Sequence, residues 1–369
     1  MPSLTTSLPF SPAELAYLHT SLSSVPPLRP DARSHATDFR PLRAETGVLP
    51  AVNGSAHVGF SDGREAIVGV KLEVEKTVAR QNIVYTTAST NVGGGVPGDD
   101  ETTMDVDRET QEKKDDGGGG GQPQWLSTTL TLPGLRDDDP NLAFLEEMLR
   151  EPLIVSGLAD KLVINSKWHW HAYVDVLLIS PNGLASYPLP LLSAAVHLAL
   201  RDARVPRLKS EGEEDPVADD DWMASTFLYD REHVPRPPVT LLVVVVGENV
   251  IFDPSREELA VADAVVAVSV GSPTQRKAPG DGEEEQEQEE NQYKVLAVRM
   301  IDTPARDTMK GVPLAGEAVE GVDVPGVWKP RLGGVKRSVI KDVVKSVTRD
   351  GVARDVFMGL DGFLGLEAT

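Results

Sequence analysis

The residues best suited to chemistry stand at Trp168–His169–Trp170–His171, where two histidines at i and i+2 project from one face of any extended strand. Imidazoles so placed can ligate zinc, but zinc needs a third or fourth ligand, and no His, Asp or Glu follows at a signature spacing. His19, His35, His57, His197 and His233 are scattered along the chain. The alternation of Trp168, Trp170, Ala172 and Val174 supports the structural alternative, a strand with one core face. On that reading no metal site is expected. A Ser–His–Asp set can be drawn from any chain this long, yet no Gly-x-Ser-x-Gly elbow supports one. The glycine run at 117–121 lacks the Gly-Lys-Ser/Thr ending of a phosphate loop and reads as linker. Among the carboxylates, Asp253 in Asp253–Pro254–Ser255 suits a turn held by its own side chain. Asp263 reads as a solvated loop acid. Arg136, in Leu132–Pro133–Gly134–Leu135–Arg136, is followed by Asp137, Asp138 and Asp139, which can neutralise it. No catalytic residue and no cofactor emerges from these patterns.

The elements that must position these residues can be read from periodicity. Residues 11–24 form a short helix, with Ser11 as cap, Pro12 in the first turn and a Leu15, Leu18, Leu22 stripe. From Phe39 the pattern changes to strands. A β-rich run at 66–74 follows a hairpin turn at Ser61–Asp62–Gly63–Arg64, and Asn53–Gly54 marks another turn or bulge. A strand is expected at 125–132, followed by a helix capped at Asp139–Pro140 and carrying Leu142, Leu145, Met148 and Leu149. Residues 161–164 and 168–179 read as strands, and 190–201 as a helix with a broad apolar face. Further strands are expected at 239–246, 249–252, 265–270 and 294–301. One amphipathic helix over 335–356 closes the chain, with Val339, Ile340, Val343, Val344 and Val347 inward and its basic residues on the solvated face. Strand-rich stretches interleaved with few helices predict an α/β protein of α+β type, a two-layer sandwich.

Composition bounds the reading. The chain has 369 residues and a formal net charge of −21. The negative charge concentrates in three tracts, at 99–122, 211–221 and 281–290. The acidity therefore describes inserted loops and does not exclude RNA binding, which depends on local basic patches. Insertions at 87–122, 209–221 and 272–291 are expected to be disordered, because they cannot bury enough apolar surface to offset their ordering entropy. There is no cysteine, so disulfides and thiolate metal sites are excluded, which suits a reducing compartment such as nucleus or cytosol. The first ten residues have neither a basic n-region nor an apolar h-region, which argues against a secretory signal. The longest apolar run, Val239–Val246, is far short of the ~20 residues that span a bilayer. No membrane association is expected.

Two stretches belong together. One runs from Leu28–Arg29–Pro30–Asp31–Ala32–Arg33 through Phe39–Arg40 and Glu45–Thr46–Gly47 into Asn53–Gly54–Ser55–Ala56. The other is Tyr173–Val174–Asp175–Val176–Leu177–Leu178, followed by an apolar helix that ends at Arg204–Val205–Pro206–Arg207. This layout resembles the ribonuclease PH-like proteins that build the ring of the RNA exosome. The resemblance implies a ribonuclease PH-like, ribosomal protein S5 domain 2-like fold. An N-terminal helical segment, 1–27, would precede a single domain, 28–369, with halves 28–208 and 222–369. Active phosphorolytic members carry a Gly-Thr-Arg type turn between the core strand and helix, where backbone, hydroxyl and guanidinium hold phosphate. Here the corresponding stretch is Pro181–Asn182–Gly183–Leu184–Ala185–Ser186. Gly183 survives, but Leu184 and Ala185 replace the hydroxyl and the arginine, so Gly183, Leu184, Ala185 and Ser186 form a degenerate phosphate site.

The resemblance extends to Asp253–Pro254–Ser255 with its trailing Glu257–Glu258, and Asp263 lies near where active relatives place a carboxylate thought to promote attack. Where relatives have Asp-Gly-Arg, this chain has Asp31–Ala32–Arg33, so that loop need not adopt a positive-φ glycine conformation. Loops equivalent to the one bearing Arg136 line a central channel in the ring proteins, which implies an RNA-phosphate contact for Arg136. The function implied is a non-catalytic subunit of the hexameric ring that threads single-stranded RNA. It would support 3′–5′ RNA processing and degradation, including ribosomal RNA maturation, in the nucleus, nucleolus and cytoplasm. Partners would be sister ring subunits and cap proteins. The alternatives are an active phosphorolytic 3′–5′ exoribonuclease and a sister subunit of the same ring.

Overall fold

The computed structural model describes residues 10–77, 120–180, 187–231, 235–272, 293–301 and 335–365. The chain enters through α1 (Pro12–Leu22), started by a capping box in which Ser11 and Glu14 satisfy each other's backbone N–H groups. Leu15 and Leu22 are buried on its core side. Five strands then build the first sheet: β1 (Leu42–Thr46), β2 (Gly54–Phe60), β3 (Glu65–Lys76), β4 (Leu126–Thr131) and β5 (Trp168–Ile179). Their order is β1-β2-β3-β5-β4, antiparallel except for the parallel β4/β5 pair. Gly63, at φ +82, closes the β2/β3 hairpin where the sequence placed a turn.

Register follows from burial. Ala66, Val68, Val70 and Leu72 lie opposite Leu178, Val176, Val174 and Ala172, giving one continuous apolar face. The other face of the same pair carries Lys71, Glu73 and Glu75 opposite Tyr173, His171 and His169. Helix α2 (Pro140–Val155), capped by Asp139, packs on β4. Helix α3 (Leu189–Asp202) is buried almost all round, because it packs on β2 and β3 and also on a strand of the second sheet, Val239–Val246. A two-stranded ribbon, β6 (Arg204–Val205) with β7 (Thr226–Phe227), links the halves.

The second sheet comprises β8 (Val239–Val246), β9 (Asn249–Phe252), β10 (Ala264–Gly271) and β11 (Lys294–Ile301), in the order β11-β10-β8-β9 and wholly antiparallel. Short helix α4 (Arg256–Ala260) follows β9. Strands β8 and β10 are buried at every position, which explains their uninterrupted valine-rich runs. Helices α5 (Arg337–Thr348) and α6 (Val352–Gly365) close the chain, so helices pack on sheets in the α+β class expected. Among the described residues no helix is long and apolar enough to cross a membrane.

Three local expectations are corrected. Residues 161–164 do not form a strand; the chain makes a 3-10 turn at Leu158–Leu162, started by Gly157 at φ +82, and only Val163 bridges to His169. Leu158, Ala159 and Leu162 are buried, and the consecutive burial of 158 and 159 breaks the alternation a strand with one core face would show. The single C-terminal helix is two, because Gly351 at φ +90 supplies a left-handed stop between α5 and α6. Val343 and Val347 are the fully buried members of its apolar set.

The acidic stretch 209–221 is ordered where disorder was expected. Lys209 N–H donates to Val217 O (2.8 Å) and Asp219 N–H to Arg207 O (2.7 Å), closing a loop. Gly212 O and Glu214 O accept from Asn165, Glu213 from Ser166 and Asp215 from the Trp168 indole, and Lys209 pairs with Asp219, so neighbouring groups tie the tract down. Of the tract 87–122, only Gly120, Gly121 and Gln122 are described, and Gln122 is buried. Its remainder and residues 273–291 lie outside the described residues.

Candidate functional site

The two related stretches of sequence touch. Asn53 Nδ2 donates to Arg204 O (2.9 Å), Arg204 N–H donates to Asn53 O (2.8 Å), and Leu72 N–H donates to Asn53 Oδ1 (2.9 Å). Ser55 N–H donates to the Asp202 carboxylate at the end of α3 (3.0 Å). Gly54 lies so close to this corner that a Cβ would sit 2.4 Å from Ala203 Cα. The sequence pairing is therefore a physical joint between β2 and the C-terminal end of α3.

The opening block makes a second joint, to the second half. Arg29 is fully buried and grips Glu258 with two hydrogen bonds, Nε to Oε1 (2.7 Å) and Nη2 to Oε2 (2.8 Å). Its remaining N–H groups donate to the carbonyls of His35, Asp38, Phe252 and Asp253. Glu258 also accepts from Ser255 N–H, so one carboxylate both caps α4 and binds the arginine. Asp253 is buried at φ +47, and its carboxylate accepts from Arg40 Nε (2.9 Å), Arg40 Nη2 (2.5 Å) and Arg33 Nη1 (3.3 Å). Burial pulls the Arg40 pKa down, but the hydrogen bond to Asp253 and the charges of Asp253, Asp62 and Glu258 together outweigh it and leave the guanidinium raised. Asp253 thus fastens the opening block to the β9–α4 turn, a wider role than holding its own turn. Ala32 lies at φ +62, so its loop adopts a left-handed backbone although the residue is not glycine, contrary to the expectation from sequence. The network of bonds around Asp31, Arg33 and Arg29 holds it there.

Beside this network lies a cleft of about 410 Å³, lined by Asp31, Arg33, Arg40, Asp62, Arg64 and Arg256 among others. Arg33, Arg40 and Arg64 are each paired with a carboxylate, so the cleft is not a ready phosphate cradle. Asp263 accepts from Gly247 N–H (2.7 Å) and faces His19 Nε2 (3.4 Å), an anchor for α1 and not a solvated acid. Gly183, Leu184, Ala185 and Ser186 lie outside the described residues. Arg136 stands on the exposed loop after β4, with Gly134 at φ +90, and shares its guanidinium with Asp138 (2.9 and 2.8 Å). His197 is buried and donates Nδ1–H to Pro237 O, and burial pushes its pKa down to about 3. It is a structural histidine.

His169 and His171 do project from one face of β5, as their spacing required, and Trp170, Ala172 and Val174 are buried on the other. Pairing with β3 brings Glu75 to them: its Oε2 lies 3.2 Å from His171 Nδ1 and 3.8 Å from His169 Nε2. Tyr173 donates to Glu75 Oε1 (3.1 Å). That hydrogen bond raises the tyrosine's pKa, whereas burial lowers that of His169 against the pull of Glu75. Glu75 escaped the sequence reading because it lies 94 residues before His169, and only strand register joins them.

No family model matches the chain. The fold is nevertheless that of exosome-core subunits. The chain superposes on a subunit of an archaeal exosome core with a TM-score of 0.51 at 16% identity, covering 94% of this chain and 96% of that one. A second match is to an Archaeoglobus fulgidus exosome with RNA bound to its active site, with a TM-score of 0.51 at 15% identity over 93% and 97% of the two chains. In sequence the chain is RRP42-like. It is 29% identical over 266 residues to the exosome complex component RRP42 of Saccharomyces cerevisiae, covering 70% of this chain and 80% of that protein. It is 27% identical over 272 residues to the exosome complex component rrp42 of Schizosaccharomyces pombe, covering 70% and 77%.

Proposed function

We propose that this chain is a catalytically silent structural subunit of a eukaryotic exosome ring, in the position of its RRP42 relatives. The observation that carries the reading is the coincidence of RRP42-like sequence over 70% of the chain with an exosome-core fold over 94% of it. Silence rests on chemistry legible in the sequence: Leu184 and Ala185 cannot hold phosphate through their side chains, and phosphorolysis needs a cationic cradle for the attacking anion. The buried Arg29 and the half-buried Arg33 and Arg40 do not substitute, because each is committed to a carboxylate.

In this role the chain completes a hetero-hexameric ring with sister ribonuclease PH-like subunits, one of them a tight partner, beneath RNA-binding cap proteins. Single-stranded RNA passes through the channel, and the exposed loop of Arg136 contributes one phosphate contact there. Such an assembly works in the nucleus and nucleolus and also in the cytoplasm.

The purified chain is expected to release no nucleoside diphosphate from poly(A) in phosphate buffer, with or without magnesium. Release that survives repurification would establish the phosphorolytic enzyme instead. Tagged chain isolated from its host is expected to co-purify with other ring subunits, identified by peptide sequencing. The reconstituted ring should protect RNA, and Arg136→Glu should reduce that protection at low salt, where phosphate contacts count most, without disturbing assembly. Unchanged protection removes Arg136 from the channel.

A further inference from the structure

We propose that Glu75, His169 and His171 form a binding site for a divalent first-row transition ion, zinc in the first instance, on the face of the first sheet away from its apolar core. The three ligand atoms lie within 4.8 Å of one another. Tetrahedral zinc holds its nitrogen and oxygen ligands at about 2.1 Å, which sets neighbouring ligand atoms roughly 3.4 Å apart. The observed 3.2 Å and 3.8 Å from Glu75 Oε2 to the two imidazoles bracket that spacing, so small side-chain rotations suffice.

The surroundings hold the rings as ligands require. Ser127 Oγ lies 2.9 Å from His171 Nε2, and Thr77 Oγ1 lies 3.1 Å from His169 Nδ1. With those hydroxyls accepting the outer N–H groups, the inner nitrogens, His171 Nδ1 and His169 Nε2, present lone pairs toward Glu75. Tyr173 donates to the other carboxylate oxygen and stacks on His171 with ring centroids 4.3 Å apart, fixing both ligands. Trp125 stacks on His169 at 4.2 Å.

A second observation points into the site. His169 is only 3% exposed, and its Nε2 has no hydrogen-bond partner although it faces the carboxylate. A buried lone pair opposite an anion is unfavourable unless a proton or a metal cation lies between them, and at 3.8 Å the separation is long for a hydrogen bond but close to that of two ligands on one ion. Two imidazoles and one carboxylate suit zinc, copper or nickel, whereas magnesium and calcium prefer all-oxygen sites. Glu75 is partly exposed, which leaves room for water as a fourth ligand and a route of entry. The ion would staple the end of β3 to β5, just where the chain leaves β3 at Thr77.

The test is a zinc titration of the untagged full chain by calorimetry, in excess magnesium to occupy the acidic tracts. One zinc per chain is expected, with a raised thermal midpoint. Glu75→Gln and His171→Ala should each weaken binding by at least about tenfold, the range seen even when groups that only orient ligands are removed. Cobalt added to the native chain should give the intense visible bands of a four-coordinate ion. Circular dichroism establishes that the variants fold; if either does not, the cobalt spectrum of the native chain decides. Undiminished zinc binding in both folded variants, no magnesium-resistant zinc binding, or a pale six-coordinate cobalt spectrum overturns the proposal. None of these outcomes bears on ring membership.

Discussion

Replacing Arg29 with alanine is expected to cost about 3–5 kcal/mol of unfolding free energy, the range for breaking a buried ion pair by removing one partner. Arg29 and Glu258 are both fully buried, so the variant strands an anion that water cannot reach. The same deletion takes donors from the carbonyls of His35, Asp38, Phe252 and Asp253, where the opening block meets β9. Arg29→Lys should recover little, because an ammonium cannot reproduce the two-pronged grip on Glu258 while reaching carbonyls on both sides. Replacing both members together, Arg29→Met with Glu258→Leu, should cost less than Arg29→Ala alone, since no charge is left unpaired. For a chain of this size the single change should lower the thermal midpoint by about 5 °C. A loss of less than about 1 kcal/mol would place the pair with surface salt bridges and dissolve the joint.

That joint also shows what could be read from sequence alone. Arg29, Pro30, Asp31, Arg33, Phe39 and Arg40 were recognisable as a block, but their purpose appears only when Asp253 and Glu258, more than 200 residues away in sequence, are brought to them. Patterns contained within one element were legible. Strands β5, β8, β9 and β11 fall at the expected bounds because alternation or an unbroken apolar run defines each locally. The capping signals at Ser11 and Asp139 are likewise local chemistry, and both caps form.

What failed depended on partners. Lys161, Leu162, Val163 and Ile164 look like a strand, yet Gly157 and the burial of Leu158 and Leu162 turn that segment into a helical corner. The acidic loop was expected to be disordered because its charge was counted without the Asn165, Ser166 and Trp168 donors that it meets. Glu75 was invisible as a companion of His169 because strand register, not spacing, places them together.

Gly54 carries the other large expected effect, and here the argument is one of space. A Cβ at this position would lie 2.4 Å from both Ala203 N and Cα and 2.6 Å from Ala199 O. All three are backbone atoms at the end of α3, so no side-chain rotation relieves the clash. Gly54→Ala must therefore push α3 away from β2, opening contacts along a helix that is buried almost throughout. The expected loss is about 3 kcal/mol, the upper end of ordinary overpacking, and Gly54→Val should prevent folding. Gly59, on the same strand, supplies the contrast. Its Cβ would meet Glu65 Cγ at 3.3 Å, the flexible stem of a side chain that can swing aside. Gly59→Ala should stay within about 0.5 kcal/mol of the parent, because the reduced backbone freedom of the unfolded chain offsets a slight crowding. Chemical denaturation of the two alanine variants, run side by side, separates the cases. Equal midpoints would mean that β2 and α3 are not locked together, and the contact between Asn53–Gly54–Ser55–Ala56 and the end of α3 would lose its structural meaning.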